Sequence, residues 1–245
     1  MDSTLTTMTT ISNHRKIPVG TIIRATLLIS WAKKIQITKS SIIPLILVAL
    51  ISILNVYVID SEGTLTEFVQ TILFGFPYAL IAIACHRIVL LEEDSTEVYK
   101  RPLWTMRETQ FYLYGLVINL ISQPRSDPII YPPLYNLVVL TIGIYVAARL
   151  SVLFPAIAID KQLGFSRSWR ATKGNGFRIA ILEIAVSLLT VFAELVILVP
   201  VFLIYKTDNL IKLVVPVASY LLLMVLIVSM SLVYQYLVKK QDITI

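Results

Sequence analysis

Three ionisable residues, Arg149, Glu183 and Glu194, lie inside long apolar runs, where a charge is costly enough to need a physical reason. At the centre of a bilayer each costs roughly 2.5 to 3.5 kcal/mol on insertion scales, so such groups pair with one another or mark the route of a polar solute. Glu183 and Glu194 are eleven residues apart, about 20° after three helical turns, and therefore share one helix face. At the α-helical rise, Glu183 falls roughly 7.5 Å inward of Arg178 and Arg149 about 16 Å from Asp160. Those depths allow an Arg149 to Glu183 ion pair inside a bundle; the alternative is a polar pathway for a small solute or lipid through Arg149, Glu183 and Glu194. Glu194 lies deeper, and Asn119 or a proton on its own carboxyl would satisfy it.

Other reactive residues do not assemble into a catalytic set. Cys85 and His86 are adjacent, so on a helix they point about 100° apart, and the second histidine, His14, lies near the start of the chain. The bland reading of His86 is a headgroup-level histidine beside Arg87. A single cysteine excludes an intrachain disulfide. There is no phosphate-binding glycine loop, zinc-ligand spacing or nucleophile elbow, so the chain is read as non-enzymatic, without metal or cofactor.

The elements that must position these residues follow from composition. The 245 residues are 57% hydrophobic and 15% charged, with a mean hydropathy of +0.80, whereas soluble domains carry about 25% charged residues. A bilayer span needs roughly 20 mainly apolar residues. The pattern predicts an all-α polytopic membrane helix bundle of about six transmembrane helices, at 41–59, 68–91, 104–122, 134–158, 177–203 and 210–237. Two short amphipathic interfacial helices are added at about 18–37 and 165–173. Residues 1–15, rich in Ser and Thr, are expected to form a disordered tail, with 16–245 a single membrane domain.

Several local expectations go with this layout. Pro18 suits a first helical turn. The third span is long enough only if it starts near Trp104 and carries Arg107 and Glu108 at its polar end. Asp60-Ser61-Glu62-Gly63 and Lys206-Thr207-Asp208-Asn209 read as turns, Pro124 to Pro133 as a stiff connection, and Pro155 as a kink late in the fourth span. The first forty residues lack the short apolar core and cleavage site of a secretory signal, so the N-terminus is expected to be retained.

Lysines and arginines set the orientation, because positively charged loops stay cytoplasmic. Of the 21 basic residues, only Arg125, Lys206 and Lys212 fall on the side opposite both termini. A multi-pass plasma-membrane protein with both ends in the cytoplasm follows. The net charge of +6 is then a product of topology and not a sign of nucleic-acid binding.

The segment from Phe154 to Arg178 is the most informative. At 100° per residue, Phe165, Trp169 and Thr172 share one face of a short helix, and Arg167, Arg170 and Lys173 lie around the other. Ser166 is placed to cap its start, and Gly174-Asn175 to end it. Trp169 is expected at headgroup level. Together with Lys33 and Lys34, the three cations could recognise anionic phospholipid at about 1 kcal/mol each, a membrane-protein partner being the related possibility; plain topology anchoring weighs equally.

The run RLSVLFPAIAID…GFSRSWRATKGNGFRI resembles the signature of the glycerophosphoryl diester phosphodiesterase membrane-domain family and YciC-type bacterial inner-membrane proteins. Pro155, Asp160, Ser168-Trp169-Arg170 and Lys173-Gly174-Asn175 are its specific part. VGTIIRATLLISWAKKI, HRIVLLEE and WTMRETQF resemble further family elements in the same order, so the likeness covers nearly the whole chain. The connection from Asp160 to Ser168 is about one helical turn shorter than in the family, which keeps the helix face but shortens the surface helix. The resemblance implies a multi-pass bacterial inner-membrane protein. It implies no activity, because the phosphodiesterase domain is absent, and Ile88 follows His86-Arg87 where that enzyme needs glycine.

Overall fold

Proline and serine decide where the apolar segments bend. The computed structural model describes residues 16–57, 64–92, 102–122, 133–205 and 208–239; the expected tail at 1–15, the turn at 60–63 and most of the proline-rich connection lie outside them. Among the described residues the chain is all-helical. Helix α1 (Val19–Ala32) starts directly after Pro18 and is separated from α2 (Lys34–Ser40) by Lys33. Helix α2 meets α3 (Ile42–Tyr57) at 56°. At that joint the hydroxyls of Ser40 and Ser41 both donate to the Ile37 carbonyl at 2.8 Å, back-bonding that bends helices. The single interfacial helix expected at 18–37 is thus broken in two, and its second half leads into the first long apolar helix.

Three pairs of longer helices follow in the chain: α3 with α4 (Thr64–Leu90), α5 (Met106–Ser122) with α6 (Pro133–Leu150), and α9 (Gly176–Tyr205) with α10 (Asp208–Tyr234). A π-helical turn, Gln235–Lys239, extends the last. Of the turn expected at 206–209, Asp208 and Asn209 instead open α10, and residues 206–207 lie outside the described residues. Among the described residues three stretches are long and apolar enough to cross a membrane: Phe68–Leu90, Gly176–Pro200 and Leu213–Val238. The bent pair Lys34–Ser40 and Ile42–Val56 makes a fourth if it counts as one, and Leu134–Leu150 is apolar but shorter.

Side by side, α3, α4, α5, α6, α9 and α10 form a closed series in which each packs on the next and α10 returns to α3. Helix α10 also packs against α4 and α1, so it is the hub on which both apolar cores meet. Pro77 removes one rung from the α4 ladder. In this loosened stretch, the Tyr112 hydroxyl of α5 donates to the Ile72 carbonyl at 3.2 Å and that of Tyr220 on α10 to the Phe74 carbonyl. The carbonyl that Pro77 leaves without its N–H is that of Leu73, which lies between these two.

The expected span at 134–158 is divided. Helix α6 ends at Leu150, and a short helix, α7 (Leu153–Ala158), turns across the end of the bundle against α4 and α5. Pro155 has no N–H for the Ser151 carbonyl, so an unbroken helix would lose a bond there, and the break forms one turn ahead of the proline. A second short helix, α8 (Phe165–Ala171), packs on α6.

Candidate functional site

The same end of the bundle gathers the residues of the Phe154 to Arg178 segment. The helix break leaves the Arg149 carbonyl without its usual partner four residues on. It accepts instead from the hydroxyls of Ser168, at 3.1 Å, and Thr172, at 3.0 Å, both fully buried. These two bonds fasten α8 to α6 by one face and leave Arg167, Arg170 and Lys173 exposed on the other. Gly164, not Ser166, stands at the start of α8, and the Ser166 carbonyl instead accepts from Arg170 Nε at 3.4 Å. Gly174, at φ 77°, makes the left-handed turn that leads to α9.

Trp169 is 41% exposed, with one face of its ring occupied. The Arg149 guanidinium lies 4.3 Å from its centroid and donates to the Trp169 carbonyl, while Tyr145 meets the indole edge-on at 6.2 Å. Lys33 is not a free headgroup cation either. Its Nζ donates to the Ile88 carbonyl at 2.8 Å, capping the last turn of α4. Lys34 remains at the surface, 3.3 Å from the centre of the exposed Trp31 ring.

The four polar residues expected within the bundle do not converge. Arg149, 7% exposed, is turned toward Trp169 and makes no ion pair with Glu183; the expected pair is corrected by this stacking. Asn119 is exposed on α5, and Glu194 is instead satisfied by the hydroxyl of Ser219 on α10. Glu183 keeps its Oε1 buried with no hydrogen-bond partner. The structure thus separates Arg149 and Asn119 from the two glutamates, which stay on a common face of α9.

An ion-paired lock at this end was not foreseen from the sequence. Arg87, buried at the end of α4, donates at 2.7 Å both to the Ala158 carbonyl and to Asp160. Arg107 reaches the same carboxylate at 3.3 Å and Glu108 at 2.6 Å. Asp160 sits at φ 61°, a conformation that a short polar side chain tolerates. The Thr105 amide donates to Glu108 at 2.8 Å, and the Arg107 amide to the Thr105 hydroxyl at 3.3 Å. The Thr-x-x-Glu spacing of a capping box is legible in the sequence; the Arg87 to Asp160 pairing, 73 residues apart, is not.

The N-terminal approach is held at the same place. The Ile17 amide donates to Asn175 Oδ1 at 2.8 Å, its carbonyl accepts from Arg178 at 3.0 Å, and the Tyr236 hydroxyl donates to the Lys16 carbonyl at 3.2 Å. His86 hydrogen-bonds through Nδ1 to Ser231 at 2.7 Å and is buried, with Cys85 beside it. Among the described residues no group of three or more His, Cys, Asp or Glu side chains could hold a metal ion. Comparison with protein-family models, with curated proteins and with solved structures gives no match.

Proposed function

We propose that this chain is a non-catalytic, multi-pass membrane protein whose cation-rich end engages anionic phospholipid headgroups through α8. The observation that carries this reading is the mounting of α8: Ser168 and Thr172 tie one face to the Arg149 carbonyl and leave Arg167, Arg170 and Lys173 exposed around Trp169. A cationic row held rigidly loses little further freedom on meeting phosphate groups. Exposed Trp31, Leu28 and Ile35 on α1 and α2, with Lys34 and Arg24, form a second amphipathic surface at the same end.

In this reading the bundle crosses the membrane six times, with both termini in the cytoplasm of a bacterial cell and the protein in its inner membrane. Support comes from the contacts that bring residues 16–17, 33, 87, 160, 175 and 236 to one end, the arrangement required by an even number of crossings. Helices α5 and α6, of 17 and 18 residues, reach about 26 Å against a core of about 30 Å, a mismatch that local thinning accommodates. Membership of the glycerophosphoryl diester phosphodiesterase membrane-domain family rests on the motif residues alone, and Asp160, Ser168, Trp169 and Asn175 each have a defined structural task in this fold.

The test is lipid selectivity of the purified full chain by native mass spectrometry. The parent protein should retain phosphatidylglycerol over phosphatidylcholine, and Arg167→Glu, Arg170→Glu and Lys173→Glu together should lower that preference by well over tenfold, at about 1 kcal/mol per cation. Equal preference in parent and variant would remove the proposal.

A further inference from the structure

Helix α9 carries a polar stripe that the lipid reading leaves unused. Glu183, Ser187, Thr190 and Glu194 are spaced by four, three and four residues, and so fall within an arc of about 60°. All four are half-buried, whereas Ile184, Leu188, Val191, Phe192 and Leu195 on the remaining surface are exposed. The stripe borders the fully buried Ile179 and Val186, about 40° and 60° from Glu183, and so lies along the edge of the packed face of α9. Thr190 returns its hydroxyl to the Ser187 carbonyl at 2.8 Å, and Glu194 is bonded to Ser219. Glu183, at the inner end of the stripe, is the one of these side chains left with a buried oxygen and no partner.

A carboxylate in that position needs a compensating charge or donor, because an unpaired ion in an apolar interior costs several kcal/mol. No described side chain bonds to it: the Arg149 guanidinium on α6 stacks on Trp169 and donates to its carbonyl, with its own Nε left unpartnered. The oxygen beside this carboxyl along α9 is the hydroxyl of Ser187, one turn on. A single carboxylate among neutral oxygens balances one positive charge; calcium or magnesium would call for more acidic ligands. The opposite end is closed by α7, where Phe154 meets Phe111 at 4.9 Å and Leu153 is fully buried, so the stripe approaches Glu183 from the side of the bundle away from the cation-rich end.

We propose that Glu183 is the carboxylate of a binding site for a small monovalent cation that arrives along the Ser187, Thr190 and Glu194 stripe. The site is independent of the lipid contact at α8.

Dicyclohexylcarbodiimide, which modifies carboxyl groups in apolar surroundings, tests it on the full chain in detergent, with mass spectrometry locating the adduct. In N-methylglucamine chloride, Glu183 should be labelled. Sodium or potassium chloride at equal ionic strength and pH should slow the labelling roughly tenfold once the cation is about ten times its Kd. The adduct should vanish in Glu183→Gln and persist in Glu194→Gln. The same cation should raise the unfolding midpoint of the parent protein and of Glu194→Gln, and not that of Glu183→Gln. Labelling at Glu183 indifferent to both cations would mean a carboxyl holding only its own proton. That result, or no adduct at Glu183 in the cation-free buffer, overturns the proposal, and both are read on the parent chain even if Glu183→Gln does not fold.

Discussion

The Arg149 guanidinium lies over the Trp169 ring at 4.3 Å and bonds to the carbonyl of the same residue, so one side chain of α6 holds α8 by both its aromatic face and its backbone. Tyr145, one turn earlier, extends the arrangement with a hydroxyl 3.4 Å from the guanidinium. With the guanidinium buried and the ring 41% exposed, the cation to ring attraction is worth about 1 to 2 kcal/mol. Arg149→Ala and Trp169→Ala should each destabilise the purified protein, and the double variant should lose less than the sum, by about 1 to 2 kcal/mol, in a double-mutant cycle of thermal unfolding in detergent. Strict additivity would show that the two side chains act separately. Arg149→Lys should not restore the parent value, since an ammonium lacks the planar fork that stacks and donates together.

Gly176 allows that arrangement to form. A Cβ at this position would lie 2.5 Å from Arg149 Cδ and 3.1 Å from the Tyr145 ring. Gly176→Ala should therefore push Arg149 off Trp169 and cost about 1 to 3 kcal/mol, as overpacking does. Gly20→Ala is the matched control: nothing lies within 4 Å of its new methyl group, and α1 should gain up to about 1 kcal/mol from helix propensity. Similar unfolding midpoints for the two variants would contradict the packing described.

Asn175 holds the chain where it enters α1. Its side-chain carbonyl accepts the Ile17 amide, and Ile17 is fully buried. Asn175→Ala leaves that amide without its acceptor at a cost of about 1 to 3 kcal/mol. Amide hydrogen exchange over residues 16–22 should accelerate roughly tenfold or more, while exchange in the centre of α4 stays at the parent rate. Unaltered protection at Ile17 would mean that Arg178 and Tyr236 hold this segment without Asn175.

Much of the helix layout was readable along the chain, for reasons visible at particular residues. Helices α3, α4, α5, α9 and α10 lie within a few residues of the expected spans at 41–59, 68–91, 104–122, 177–203 and 210–237, and of these Phe68–Leu90, Gly176–Pro200 and Leu213–Val238 are long and apolar enough to cross a membrane. The surface helix expected at 165–173 is α8, found from the spacing of Phe165, Trp169 and Thr172. The exceptions lie where side chains bond backbone. Ser40 and Ser41 bend the path between α2 and α3 by bonding the Ile37 carbonyl, and the break near Ser151 precedes its proline by one turn; a hydropathy pattern registers neither effect.

Of the candidate site, the sequence alone determined the residue types and the helix faces: Glu183 above Glu194 on one side of a helix, and Arg167, Arg170 and Lys173 on the outer side of another. Those follow from a fixed rotation per residue and need no knowledge of neighbours. Partners were decided only by the tertiary structure. Arg149 had Glu183 within reach by depth along the membrane normal, but depth does not say which way around its helix a side chain finds its best company. Trp169, brought alongside by two hydroxyl bonds to the Arg149 carbonyl, took the guanidinium and left Glu183 alone. Periodicity is a property of one helix, whereas pairing depends on how separate helices are rotated and set against each other.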